Sequence, residues 1–154
     1  MGTHYKGTKE EETALNTYIK LVRAVDSLSS RINKNLRKSN LTESQFGILE
    51  ALYHIGPLRQ RDLAEKILKT GGNITMVVDN LEKRGLVKRE KGKDDRRTFS
   101  VVLTEQGNSL IGKIFPEHLS SVVAEMKKLS YKDQNRLQEF CKILGLNGQR
   151  KKKK

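Results

Sequence analysis

The block from Arg59 to Leu103 constrains the fold most. Two short amphipathic stretches flank a glycine pair there and then give way to two strand-like runs. Arg59 to Ile67 reads as a short helix with Leu63, Ala64 and Ile67 on one side. Lys69-Thr70-Gly71-Gly72 interrupts it, and Ile74, Val77, Val78 and Leu81 carry a second periodic stretch that Gly85 ends in a left-handed position. Two short helices around a glycine-bearing turn make a helix-turn-helix pattern. Leu86–Arg89 and Phe99–Leu103 read as paired strands, with Phe99, Val101 and Leu103 alternating on one face. The charged run Glu90–Arg97 forms the hairpin tip.

Helices are expected on both sides of this block. Glu12 to Lys38 contains no Pro or Gly, and Tyr18, Leu21, Val22, Val25, Leu28, Ile32 and Leu36 recur every three or four positions, predicting one long amphipathic helix. Thr42 with Gln45 forms a capping box and Leu41 with Phe46 a hydrophobic staple. The helix they start carries Ile48, Leu49, Leu52 and Tyr53 inward and stops at Gly56-Pro57. Thr104 to about Leu129 reads as helical, with a kink or break expected at Pro116. Ser130-Tyr131-Lys132-Asp133 caps a last helix ending near Gly145.

Charge then narrows the partner. The 154 residues hold 31 Lys or Arg against 18 Asp or Glu, a net +13. Residues 59–97 carry 12 basic and 7 acidic groups and Arg150–Lys154 five basic ones, so these two blocks hold most of the excess. Such a chain favours a polyanion, though charge alone does not choose among DNA, RNA and a lipid surface. The length suits one domain, or a small module plus helices that pair it with a copy. The single cysteine, Cys141, excludes an intramolecular disulfide and fits a reducing compartment. No apolar run approaches the roughly 20 residues of a membrane span, and the start lacks a signal-peptide core. A cytoplasmic protein with no membrane partner is expected.

With Ile74, Val77, Val78 and Leu81 inward, a step of about 100° per residue turns Gly72, Met76, Asp79, Asn80 and Lys83 outward, with Asn73 and Thr75 on the flanks. That face suits a major groove. Asn pairs bidentately with adenine, Thr bonds phosphate or touches a thymine methyl, and Met offers an apolar contact. Gly72 lets backbone approach backbone, and Thr70 at the turn joins the same candidate set. An ordinary surface helix in water is the plainer alternative for this segment alone. At the hairpin tip, Arg96 and Arg97 reach a neighbouring minor groove, with Lys93 beside them and Asp95 orienting one guanidinium. Arg59, Arg61, Lys69 and Lys88 are candidate phosphate contacts.

Other chemistry is not indicated. Cys141, among Phe140, Ile143 and Leu144, reads as a buried structural thiol, with an intersubunit disulfide as the alternative if it lies on a dimer seam. His4, His54 and His118 lack metal-ligand spacing, so no metal is expected. Gly71-Gly72 follows a helix and lacks a phosphate-loop fingerprint. No catalytic constellation is readable, and no enzyme activity or cofactor is expected.

The ordered set Asn73-Ile74-Thr75, Asp79 to Arg89, Asp95-Arg96-Arg97 and Val102-Leu103-Thr104-Glu105-Gln106-Gly107 closely resembles the multiple-antibiotic-resistance-regulator (MarR) family of winged-helix transcription factors. The resemblance implies a mainly α fold with a small β-hairpin wing. Residues 41–103 would be the winged helix-turn-helix DNA-binding domain and 1–40 and 104–147 the dimerisation helices, while the basic run itself reads 148–154 as a disordered tail. It implies a homodimer with interleaved first and last helices, each protomer reading half of a pseudo-palindromic site in double-stranded DNA. Asn73, Thr75 and Met76 fall where members contact the major groove, Arg97 where an arginine enters the minor groove, and Asp95 where an aspartate holds it. Met76 departs from the polar or basic residue of several members. Many members bind small aromatic or phenolic effectors in a crevice, for which Tyr18, Val22, Arg23 and Tyr53 are the candidate lining here. The expected function is a DNA-binding transcriptional regulator, as a repressor; the rival is a winged helix that meets an acidic protein.

Overall fold

The computed structural model describes residues 1–67, 71–92 and 97–149, without the side chains of residues 71, 72 and 146–149. It divides into two compact units, residues 1–119 and 120–154. The elements run α1 (Lys9–Ile32), α2 (Lys34–Lys38), α3 (Glu43–Ile55), α4 (Gln60–Ile67), α5 (Gly71–Lys83), β1 (Val87–Lys91), β2 (Phe99–Leu103), α6 (Glu105–Met126) and α7 (Tyr131–Gln149).

The expected long first helix is two. Asn33 breaks it, with φ −82° and ψ 2°, ending α1 and starting α2. Asn tends toward such junctions because its amide competes with the helix backbone. The start also lies earlier than expected: Thr8 and Glu11 form a capping box, legible as Thr-x-x-Glu in the sequence. At the end of α2, Asn40 takes φ 54° while the Leu41 N–H donates to the Leu36 carbonyl, and both leucines are buried. The Thr42–Gln45 capping box is formed, Phe46 is buried, and Gly56 ends α3 at φ 103°.

The core of the first unit gathers Ile48, Leu49 and Leu52 from α3, Leu63 from α4, and Ile74, Val78 and Leu81 from α5. Leu86, Val87 and Val101 from the hairpin region, Leu36, Leu41 and Phe46, and Ile111 and Ile114 of α6 also belong to it. Tyr53, expected inward, is exposed and lies edge-on to His54, one step off the α3 stripe that packs. β1 and β2 pair antiparallel in the register Val87↔Leu103 to Lys91↔Phe99. Val101 is buried, but Phe99 stands 48% exposed because it pairs beside the open tip, beyond the reach of the helices. Leu58 adds a one-residue bridge to β2, exchanging both backbone hydrogen bonds with Val101 at 3.2 and 2.7 Å.

A lock joins α5, the hairpin and α6. The Gly85 and Leu86 N–H groups donate to the Glu82 and Leu81 carbonyls, a left-handed helix end with Gly85 at φ 72°. The Thr104 hydroxyl donates to the Gly85 carbonyl at 2.6 Å and accepts from the Gly107 N–H at 3.0 Å, capping α6. Gly107 lies so close to the Leu86 carbonyl that a methyl group there would collide with it.

α6 continues through Pro116, which neither ends nor divides it. Ile111 and Ile114, buried in the preceding turn, seat the helix where Pro116 forfeits one backbone bond. In the second unit, the Ser130 hydroxyl caps α7 by accepting from Asp133 N–H, and Gln134 Nε2 donates to the Met126 and Leu129 carbonyls. α7 runs past Gly145 to Gln149. Cys141, expected buried, is exposed, because the apolar residues of α7 around it are themselves uncovered: Phe140 is 56%, Ile143 59% and Leu144 60% exposed.

Candidate nucleic-acid interface

α5 is anchored by Ile74, Val78 and Leu81, which leaves Asn73, Thr75, Met76, Asn80 and Lys83 exposed on it. Met76 is 58% exposed, a large apolar side chain held in water on an otherwise polar face. Arg59 and Arg61 are exposed at the start of α4. Lys88 is exposed on β1 and pairs with Glu90 at 3.1 Å, a surface contact worth little by itself. Arg97 is exposed at the return of the hairpin. Gly72 lies in the first turn of α5. Lys69, Thr70, Lys93, Asp95, Arg96 and the tail 150–154 lie outside the described residues.

Sequence reasoning sent Asp79 outward with this set, and the structure turns it to Arg89. Arg89, on β1, is the hub of the region, with its side chain only 22% exposed. Its Nη2 donates to Asp79 Oδ1 at 2.6 Å and its Nη1 to Glu82 Oε1 at 3.0 Å. Its Nε and Nη2 both donate to Gln60 Oε1, at 2.9 and 2.8 Å, and its backbone N–H donates to Glu82 Oε2 at 3.2 Å. Gln60 Nε2 in turn donates to Thr75 Oγ1 at 3.1 Å. One guanidinium therefore ties α4, α5 and β1 together through charge-assisted bonds. Two carboxylates face it, so Arg89 is spent on structure and adds no outward positive charge. Arg84, which follows α5, is likewise engaged, donating to the Asn40 and Ser39 carbonyls at 2.7 and 3.3 Å.

Neither Gln60 nor the role of Arg89 was found from sequence. The only signal was a basic residue two positions after the buried Val87, on the face of β1 that meets α5.

The candidate effector residues are scattered in exposure. Tyr18 and Val22 are exposed or nearly so on α1, Arg23 donates to the Met1 carbonyl at 3.4 Å, and Tyr53 is exposed. An open cavity of about 710 Å³ lies elsewhere in the first unit, between Ser39, Arg84, Leu86 and the first turns of α6, and none of the four lines it. His118 packs on Phe46 with ring centroids 4.4 Å apart. Its Nδ1 is buried without a hydrogen-bond partner among the described residues. Burial pushes its pKa below the ordinary 6.5, opposed by the Glu50 and Glu43 carboxylates. Among the described residues no group of three His, Cys, Asp or Glu is placed to hold a metal ion, and no helix is long and apolar enough to cross a membrane.

Two helices at a turn, a bridging residue, and an antiparallel hairpin following the second helix define a winged helix-turn-helix. A profile of the MarR family matches residues 41–99. The chain is 36% identical over 136 residues to the HTH-type transcriptional regulator MhqR of Bacillus subtilis (strain 168), covering 88% of this chain and 94% of that one. Among solved structures, Sco3205, a MarR family transcriptional regulator from Streptomyces coelicolor in complex with DNA, superposes with a TM-score of 0.79 at 24% identity, over 94% of this chain and 91% of that one. NadR in complex with 4-hydroxyphenylacetate superposes with a TM-score of 0.69 at 27% identity, over 94% and 97%. The chain belongs to the MarR family: it is a DNA-binding helix-turn-helix transcriptional regulator, and the family is not one of enzymes.

Proposed function

We propose that this protein is a homodimeric repressor that binds a pseudo-palindromic operator. In this reading each protomer lays Gly72 to Lys83 in the major groove, with Asn73, Thr75, Met76 and Asn80 toward base edges. Thr70 serves the same groove. Arg97, with Lys93, Asp95 and Arg96, enters the adjacent minor groove. Arg59, Arg61, Lys69 and Lys88 meet phosphate, and the half-sites lie about one helical turn, ~34 Å, apart. The observation that carries this reading is the exposed stripe of Asn73, Thr75, Met76, Asn80 and Lys83 on a helix anchored from the opposite side by buried Ile74, Val78 and Leu81. The likeness to Sco3205, solved in complex with DNA, supports DNA as the partner.

The apolar residues left exposed on α1 and α7 support dimerisation through those helices. Residues 1–40 and 104–147 supply that interface in this reading, and 41–103 the DNA-binding part. A small aromatic or phenolic effector releases the operator, bound near Tyr18, Val22, Arg23 and Tyr53 once two protomers combine. The likeness to NadR, solved with 4-hydroxyphenylacetate, supports that class of ligand.

The test is selection of bound duplexes from a random pool, followed by competition of the winning sequence against bulk DNA at physiological salt. A two-fold symmetric winner, preferred roughly 10³-fold or more, is expected. Binding with no preference would instead favour a partner other than an operator, such as an acidic protein surface.

A further inference from the structure

The major-groove edge of a base pair is built from hydrogen-bond donors and acceptors, save for one apolar group, the 5-methyl of thymine. A helix face that reads such edges is expected to be polar, and α5 departs from that at Met76. Its side chain is 58% exposed, while the other large apolar residues of the helix pack inward: Ile74, Val78 and Leu81 are buried and Val77 is partly buried against the core. At about 100° per residue, Asn73, Met76, Asn80 and Lys83 fall within about 80° of one another, with Met76 inside the stripe. All four are exposed. The backbone that carries Met76 is anchored on both sides, by buried Ile74 before it and buried Val78 after it.

A lone methionine is too small to dock a protein partner, which takes a contiguous apolar patch. Nor does a thioether serve the polar base edges, since it has no donor and its sulfur is a weak acceptor. Pressed against a purine N7 or an exocyclic oxygen or amine, it strips water from that atom and returns no hydrogen bond, which costs affinity. Against a methyl group both partners leave water without polar loss. The unbranched side chain can adjust its reach to meet one.

We propose that Met76 is a specificity-determining residue that reads the 5-methyl group of a pyrimidine, thymine in the operator, at one position of each half-site. The proposal rests on the reading of α5 as the DNA-reading helix. It follows that 5-methylcytosine at that position replaces thymine in part, because it carries the same methyl group on the same ring carbon.

The test uses the full-length protein and its selected duplex, with each thymine replaced singly by deoxyuridine, which removes the methyl group and leaves the hydrogen-bonding edge intact. One thymine per half-site should show a loss of about fourfold in affinity, the effect of one buried methyl-sized group. In Met76→Gln, similar in length but polar at its end, the same replacement should change affinity by less than about 1.5-fold, and in Met76→Leu by about twofold or more. Exchanging that T·A pair for C·G weakens binding, and 5-methylcytosine in place of cytosine should recover about fourfold for the unsubstituted protein and nothing for Met76→Gln. Should Met76→Gln not fold, Met76→Ser takes its place on the same criteria.

If the unsubstituted protein prefers no duplex over bulk DNA, the DNA-reading assignment falls and the proposal with it. A protein that keeps its preference while binding thymine and deoxyuridine alike at every position overturns the proposal alone. So does a methyl effect of the same size in Met76→Gln, which assigns the methyl group to another residue or to the shape of the duplex.

Discussion

Arg89 Nη2 lies 2.6 Å from Asp79 Oδ1, which joins the first strand of the wing to the outer half of α5. If α5 lies against DNA as proposed, Asp79 needs a cation beside it, and the fold supplies one. The pair ties α5 to the first strand of the hairpin.

Arg89→Ala leaves the Asp79 and Glu82 carboxylates without their cation. Denaturant unfolding should show a loss of about 1–2 kcal/mol, after allowing for partial exposure of the acids. Operator affinity should fall as well, since two unpaired carboxylates repel phosphate. Arg89→Lys should recover only part of either, because an ammonium cannot hold Gln60, Asp79 and Glu82 in one planar geometry.

Arg97→Ala removes an exposed side chain and should leave the protein folded. Operator affinity is expected to fall by about 1–3 kcal/mol if the guanidinium enters a groove. Unchanged affinity in a titration at fixed salt would count heavily against the wing assignment.

Gly107→Ala places a methyl group against the Leu86 carbonyl, and the backbone there has no flexible atom to yield. A destabilisation of about 1–3 kcal/mol is expected from overpacking. Gly85→Ala, at φ 72°, should cost about 1–2 kcal/mol for a different reason, backbone strain in the left-handed region. Thermal melts of the two variants check both.

His118 gives a pH dependence whose sign follows from its lowered pKa. The folded state binds its proton less readily than the unfolded chain, so stability from neutral His118 is fully present above the ordinary value of 6.5 and is lost as pH falls through the lower folded value. Melting temperatures between pH 5 and 8 should therefore decline on the acid side, and more steeply than in His118→Leu. Parallel curves for the two proteins would show that His118 does not carry the effect.

Phe140→Glu together with Ile143→Glu puts charge on the uncovered face of α7. If two copies pair through this face, as proposed, sedimentation should report monomers in place of dimers, with helix content retained. A dimer that survives both changes would assign the interface to other surfaces.

Much of the fold was legible because its signals are local. Thr42 with Gln45, Gly56 and Gly85 mark helix ends through bonds spanning a few residues, and Ile74, Val78 and Leu81 declare the buried side of α5 by spacing alone. Tyr53 and Cys141 were misplaced for one shared reason: periodicity tells which residues share a face, but not whether anything covers it. Asn33 was missed because a run of helix-forming residues outweighed a single junction residue, whereas Pro116 was overweighted because buried Ile111 and Ile114 hold the helix in place.

The sequence by itself determined the order of helices and strands, the stripe of α5 that faces outward, and the resemblance that places the chain in its family. Each follows from spacing along a continuous segment. Only the tertiary structure decided the fate of Asp79, Gln60 and Arg89. They come from three elements, 29 positions apart at the widest, and become one bonded group only after the core has brought α4, α5 and β1 together. Hydrogen bonds are satisfied by proximity in space, and that is a property no local pattern encodes.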